Sequence, residues 1–185
     1  KKAFSYYLSE NVMKDVLSHP DKLRLGGQRK EMTVLFSDIA GFTTMSEKLA
    51  PEVLAQFLNR YLSRMTDIVF SHNGVLDKYI GDAVMAFWGA PLDEKDHALL
   101  ACKTAIAMQE EIQHIKKEWK TGGSGDFAVR IGINTGEMVV GNMGSHMRFD
   151  YTLLGDNVNL GSRLEGINKE YGTNSIISEA TYNQV

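Results

Sequence analysis

The sequence predicts an α+β domain built on a ferredoxin-like βαββαβ core with additional strands and helices. Three observations predict it. A nearly continuous apolar run from Met32 to Ser37 reads as a strand buried on both faces. Two long segments then carry apolar residues at helical spacing. Between those segments, two strand-like runs meet at a Gly-Asp link, a strong hairpin signal. The resulting order is strand, helix, strand, strand, helix, strand, a mostly antiparallel sheet with helices on one face.

The first helix is expected over residues 51–71, where Val53, Leu54, Phe57, Leu58, Tyr61, Leu62 and Met65 form one stripe behind Pro51. Strands Val75–Ile80 and Ala83–Trp88 flank Gly81-Asp82, and the second long helix runs over about 95–119. A loop at Gly122-Gly123-Ser124-Gly125 follows it. Phe127–Asn134 and Met138–Met143 read as another hairpin, turning near Thr135-Gly136. A helix over about 157–168, a strand at Ser175–Ile177 and a helical turn complete residues 31–185.

Residues 1–30 read differently. Leu8, Val12 and Val16 recur at helical spacing until Pro20 and Gly26-Gly27 end the pattern, as in a helical connector from an upstream region. Such a connector transmits a signal or simply joins two domains. The chain opens at Lys1, so it is read as a piece of a longer protein whose remainder could hold a sensor or a membrane segment. No run approaches the roughly 20 apolar residues that span a bilayer, and the domain is expected in the cytoplasm.

A net charge of -3 gives no general reason to bind a polyanion, so nucleic acid is not an expected partner. Any bound nucleotide needs a local site with a metal cation. The single cysteine, Cys102, excludes an internal disulfide framework and suits a reducing compartment.

Asp38 closes the first strand and Asp82 sits in the hairpin turn, so the two carboxylates can converge at one edge of the sheet. Converging carboxylates repel, and Mg²⁺ takes one or two of them while leaving room for phosphate oxygens. Each aspartate also has an ordinary reading as a turn residue. After Asp38, however, Ile39-Ala40-Gly41-Phe42-Thr43-Thr44 forms a glycine-containing turn into a helix, whose free N–H groups suit a phosphate. With Gly81-Asp82 as the turn, Lys78 shares a face with Leu76 and Ile80, across from Met85. It is either a snorkelling edge lysine or an ammonium that donates to a ligand such as a ring nitrogen. Asn159 and Arg163 share one helix face beside the stripe Leu160, Leu164 and Ile167. They are either a solvated surface pair or a ribose and phosphoryl contact.

Four segments together resemble the class III adenylyl and guanylyl cyclase family. They are Val34-Leu35-Phe36-Ser37-Asp38-Ile39-Ala40-Gly41-Phe42-Thr43, Asp77-Lys78-Tyr79-Ile80-Gly81-Asp82-Ala83-Val84-Met85-Ala86, Arg130-Ile131-Gly132-Ile133-Asn134-Thr135-Gly136 and Leu154-Gly155-Asp156-Asn157-Val158-Asn159-Leu160-Gly161-Ser162-Arg163. The resemblance implies an adenylate cyclase that converts ATP to 3′,5′-cyclic AMP and pyrophosphate. It implies that Asp38 and Asp82, with the carbonyl of Ile39, hold two Mg²⁺ or Mn²⁺ ions, and that Gly41, Phe42 and Thr43 cradle phosphate. It further implies that Lys78 and Thr152 select adenine, that Asn159 orients the ribose, and that Arg163 stabilises the transition state. In that family the metal ligands come from one protomer of a homodimer and the other groups from its twin.

The chain departs from the family pattern at three places. Many adenylyl cyclases carry Asp where Thr152 stands, and a threonine hydroxyl donates as well as accepts, which leaves the base discrimination open. Glu137 stands where some relatives have a basic residue. The family also continues beyond the position of Val185 with strands carrying a triphosphate-binding lysine, so the C-terminal end is read as truncated. A guanylate cyclase and a catalytically silent nucleotide-binding module remain as alternatives. The first is disfavoured by Lys78, the second by the retention of Asp38, Asp82 and Arg163.

Overall fold

The computed structural model describes Ser18 and residues 26–119, 127–145 and 147–185. The expected connector up to residue 25, Ser18 apart, and the Gly122–Gly125 loop lie outside the described residues, whereas residues 26–30 already belong to the first strand. The elements are β1 (Gly26–Ala40), α1 (Phe42–Lys48), α2 (Pro51–Ser71), β2 (Val75–Ile80), β3 (Ala83–Trp88) and α3 (His97–Trp119). They continue with β4 (Ala128–Gly144), β5 (Phe149–Leu154), α4 (Asp156–Tyr171), β6 (Ser175–Ile177) and α5 (Glu179–Tyr182). The strand order is β2-β3-β1-β4-β5, with β6 parallel to β4. Its first four members have the order of the expected βαββαβ core, and β2–β3 pairs as the expected hairpin.

Alternation along β1 explains the layering. Leu35 and Ile39 face a core shared with Phe57, Tyr61, Met65 and Val69 of α2 and with Met108, Ile112 and Ile115 of α3. Met32 and Val34 face a second core with Met85, Phe87, Val140, Leu153 and Val158. Helices α2 and α3 therefore cover one face as expected. Helix α4 instead lies on the opposite face, where Gly161 brings it against Val34 and Phe36. Its buried residues are Val158, Gly161 and Asn168, and the expected stripe of Leu160, Leu164 and Ile167 is only half-buried.

Two local expectations are overturned. Thr135-Gly136 is not a turn, because β4 runs unbroken for 17 residues. The Thr135 hydroxyl is buried between those of Thr33, 2.7 Å away, and Thr181, 3.0 Å away. A Cβ on Gly136 would lie 2.7 Å from the side chain of Asn157, which donates to the Glu137 carbonyl at 2.9 Å. The glycine serves close approach rather than chain reversal, and the actual reversal is at Ser145–Arg148. Secondly, Lys78 does pair with Met85, but a register shift between Leu76 and Lys78 leaves Asp77 as an extra residue. Leu76 thus joins the core under α2 and α3, while Lys78 falls in register with Met85 of the other core.

Strands β2 and β5 end the sheet order on opposite sides, yet they meet. The β4–β5 arm curls over the second core, where the rings of Phe87 and Tyr151 lie 6.0 Å apart. No helix among the described residues is long and apolar enough to cross a membrane.

The tightest joint is β4 against α4, where a Cβ on Gly132 would lie 2.2 Å from the Glu165 nitrogen and 2.6 Å from the Gly161 oxygen. Because both obstacles are backbone, Gly132→Ala is expected to destabilise the domain by roughly 3 kcal/mol. Urea unfolding should show a lower midpoint at unchanged slope. Gly166→Ala, in open space on α4, should by contrast stabilise by about 0.5–1 kcal/mol.

Candidate active site

Asp38 sits near the end of β1, opposite Arg130 of β4, and Asp82 occupies the β2–β3 turn beside it. Both are half-buried. The backbone N–H of Ile39 donates to Asp82 Oδ2 at 2.9 Å, which fixes the turn against β1. Burial first, then the hydrogen-bonded Asp38 carboxyl and its charge, push Asp82 up to about 7, against the opposing pull of the Ile39 N–H. Tyr61 of α2 is fully buried and is raised above its usual range, chiefly by that burial, with the charges of Asp82 and Asp38 adding to it. Burial and the neighbouring carboxyl thus disfavour the charged form of Asp82, a cost that a divalent cation would relieve. Among the described residues no three His, Cys, Asp or Glu side chains converge. Two carboxylates with a backbone carbonyl suit Mg²⁺ or Mn²⁺ better than a zinc site.

Gly41 follows this strand with φ 75°, a left-handed conformation that glycine adopts without strain, and caps α1 without any side-chain hydrogen bond. The half-buried Phe42 and the exposed Thr43 begin that helix, so their N–H groups have no capping side chain.

A second cluster lies where β5 meets β2. The Thr152 hydroxyl donates to Asp77 Oδ2 at 2.6 Å, and Lys78 Nζ lies 3.5 Å from Asp77 Oδ1. Burial raises the Asp77 carboxyl, while the Thr152 hydroxyl, the Lys78 charge and the Leu153 N–H hold it down. The structure thus joins Lys78 to Thr152 through a residue between them. Asn159 and Arg163 are exposed on α4 and make no side-chain hydrogen bond or ion pair among the described residues. The chain brings together Asp38, Ile39 and Asp82, and separately Asp77, Lys78 and Thr152. It forms no side-chain hydrogen bond or ion pair from the acid pair to Lys78, Thr152, Asn159 or Arg163.

A family model described as the adenylate and guanylate cyclase catalytic domain matches residues 27–184. The chain belongs to that family. Adenylate cyclase 1 of Rhizobium meliloti is 40% identical over 156 residues, covering 84% of this chain and 24% of that protein. Among solved structures, the adenylyl cyclase CyaB from P. aeruginosa superposes with a TM-score of 0.81 at 41% identity, covering 86% of this chain and 82% of that one. The guanylyl cyclase Cya2 gives 0.80 at 38% identity, covering 86% and 80%. This cyclase domain spans about a quarter to a third of the length of the curated relatives it matches. Overall likeness does not separate the two bases, so that choice falls to local residues.

Sequence reasoning missed two members of the cyclase site region. Asp77 stood in a motif without a role, because regular alternation along β2 cannot anticipate a bulge. Glu165 on α4 is raised by burial and by the charge of Asp38, against the pull of Arg130, a proximity to Asp38 that exists only in three dimensions.

The raised Asp82 value has a definite sign. The folded domain binds a proton there that the unfolded chain releases at lower pH, so this group's contribution to stability falls as pH rises from about 4 to about 7. Melting without divalent cation should show that loss, Mg²⁺ should raise the melting temperature more at pH 8 than at pH 6, and Asp82→Asn should remove both trends. Calorimetry of Mg²⁺ binding near pH 6 in buffers of different ionisation enthalpy should register proton release.

Proposed function

We propose that this chain is the catalytic domain of an adenylate cyclase, converting ATP to 3′,5′-cyclic AMP and pyrophosphate at a homodimer interface. The approach of Asp82 to the end of β1, where the Ile39 N–H next to Asp38 binds its carboxylate, carries the reading. Side chains so placed fit two Mg²⁺ or Mn²⁺ ions, with the Ile39 carbonyl assisting. Such ions supply acidity at the ribose 3′-hydroxyl and neutralise charge on the phosphates.

The chain's own residues then position the substrate. The uncapped N–H groups at Gly41, Phe42 and Thr43 receive phosphate oxygens. Lys78 donates to the purine ring with Thr152 beside it, Asn159 holds the ribose, and the planar fork of Arg163 takes the phosphoryl group at the transition state. The ribose 3′-oxygen attacks the α-phosphorus in line, the bond to the bridging oxygen of the β-phosphate breaks, and the proton passes to solvent. Positioning and charge stabilisation dominate this transfer, so no side-chain base is required.

A second copy completes the site. Among the described residues the acid pair makes no side-chain hydrogen bond or ion pair with its own Lys78, Asn159 or Arg163, and exposed Tyr79, Ile80, Phe149 and Leu154 supply apolar surface for a partner. A guanine would present a donor at N1 to the Lys78 ammonium, itself a donor, which favours ATP over GTP. Related cyclase chains of greater length fit a cytoplasmic domain controlled by an upstream sensor or membrane segment.

The full-length protein with Mn²⁺ and ATP should release cyclic AMP, and no product from the dimer would refute the assignment. Asp38→Ala should lower kcat at least a thousandfold and Arg163→Ala about a hundredfold or more, both measured as cyclic AMP formed. Mixing the two inactive variants should restore about a quarter of the wild-type rate, because half of the dimers are mixed and each holds one intact site. No recovery in verified mixed dimers would exclude a shared site.

A further inference from the structure

Thr152 is an ambiguous reader of a base. A hydroxyl carries one donor and two acceptor lone pairs, so a threonine free to rotate accepts from the C6 amine of adenine or donates to the C6 carbonyl of guanine. The structure removes that ambiguity. The Asp77 side chain is 0% exposed, and its Oδ2 takes the Thr152 proton at 2.6 Å. Its Oδ1 has no hydrogen-bond partner, with Lys78 Nζ 3.5 Å away. A buried carboxylate resists losing a donor, by a factor of about ten to a hundred in population.

We propose that Asp77 is the positioning residue that sets base selectivity: by holding the Thr152 proton it leaves Thr152 Oγ1 an acceptor, so the site favours a purine with an amine at C6 over one with a carbonyl. The proposal rests on the reading of Lys78 and Thr152 as the base-contacting pair. Asp77 itself touches no substrate. It acts through Thr152, and its carboxylate lies beside the Lys78 ammonium that donates to the ring nitrogen. The bulge between Leu76 and Lys78 provides this arrangement, since it places adjacent residues of β2 so that Asp77 is buried against β5 while Lys78 keeps 42% of its side chain exposed. Thr152 is 8% exposed, so once the partner strand and a base cover it no water remains to compete for its lone pairs.

A carboxamide at position 77 offers both a donor and an acceptor, so Asp77→Asn frees the Thr152 hydroxyl to turn. In the full-length protein with Mn²⁺, Asp77→Asn is expected to lower the ATP/GTP ratio of kcat/KM by about ten- to a hundredfold. Thr152→Val should lower the same ratio, and the double variant should fall no further than the lower single variant, since both act through one hydroxyl. The triphosphate of 6-methoxypurine riboside isolates the effect, because it presents an acceptor at C6 while keeping the N1 acceptor for Lys78. Relative to ATP it should gain on Asp77→Asn and not on a Lys78→Ala variant. An unchanged ATP/GTP ratio in Asp77→Asn, with Thr152→Val lowering it, overturns the proposal, as does an equal loss of both substrates. If neither Thr152→Val nor Lys78→Ala moves the ratio, the base-site reading itself fails. Should Asp77→Asn be inactive or poorly folded, the wild-type chain decides: displacement of a fluorescent ATP analogue by the 6-methoxypurine nucleotide as readily as by ATP overturns the proposal.

Discussion

Everything in this domain is referred to the pairing of β1 with β4, an unbroken antiparallel register from Gly26 opposite Asn142 to Ala40 opposite Ala128. Such a ladder is stiff because each residue shares backbone bonds with a fixed partner and alternates between two filled cores. One end delivers Asp38 and Ile39 to the β2–β3 turn. The other end carries β4 past the sheet, so that β5 can curl back over the second core. A slip of one residue would exchange the contents of both cores, which is why the register is strongly specified.

Two places in the sheet store an electrostatic tension that packing alone does not require. At the first, burial and the neighbouring Asp38 carboxyl push Asp82 up to about 7. At the second, the buried Asp77 carboxylate is held by the Thr152 hydroxyl and the Lys78 ammonium. Apolar side chains of similar volume would relieve both at little loss. Their presence marks places where charge serves a ligand, a cation at the first and an oriented hydroxyl at the second. The short strand β2 carries both, Asp77 in its bulge and Asp82 in the turn that follows it.

The same geometry underlies the proposal of a site shared between two copies. Asn159 and Arg163 are carried on α4, whose buried Val158, Gly161 and Asn168 are spent on holding the helix to β4 and β1. Their own side chains stay exposed, with no hydrogen bond or ion pair among the described residues. Phosphoryl transfer depends on charge placed in advance of the reaction. In the proposed dimer the acid pair and the guanidinium stay apart until two copies meet, which makes assembly a condition of turnover.

By itself the sequence determined the α+β class, the core order of elements, the β2–β3 hairpin with its Gly-Asp turn, and the convergence of Asp38 with Asp82. These follow from signals that act over a few residues, namely apolar period, turn chemistry and the ends of strands. Only the tertiary structure decided the rest. Thr135-Gly136 looks like a turn by composition, but its hydroxyl and missing Cβ answer to Thr33, Thr181 and Asn157, residues distant along the chain. Asp77 reads as an outward strand residue until the bulge buries it, and its partner Thr152 reaches it only because the sheet coils until its two edges touch. Local pattern carries no information about such coiling, since it arises from twist and packing summed over the whole sheet.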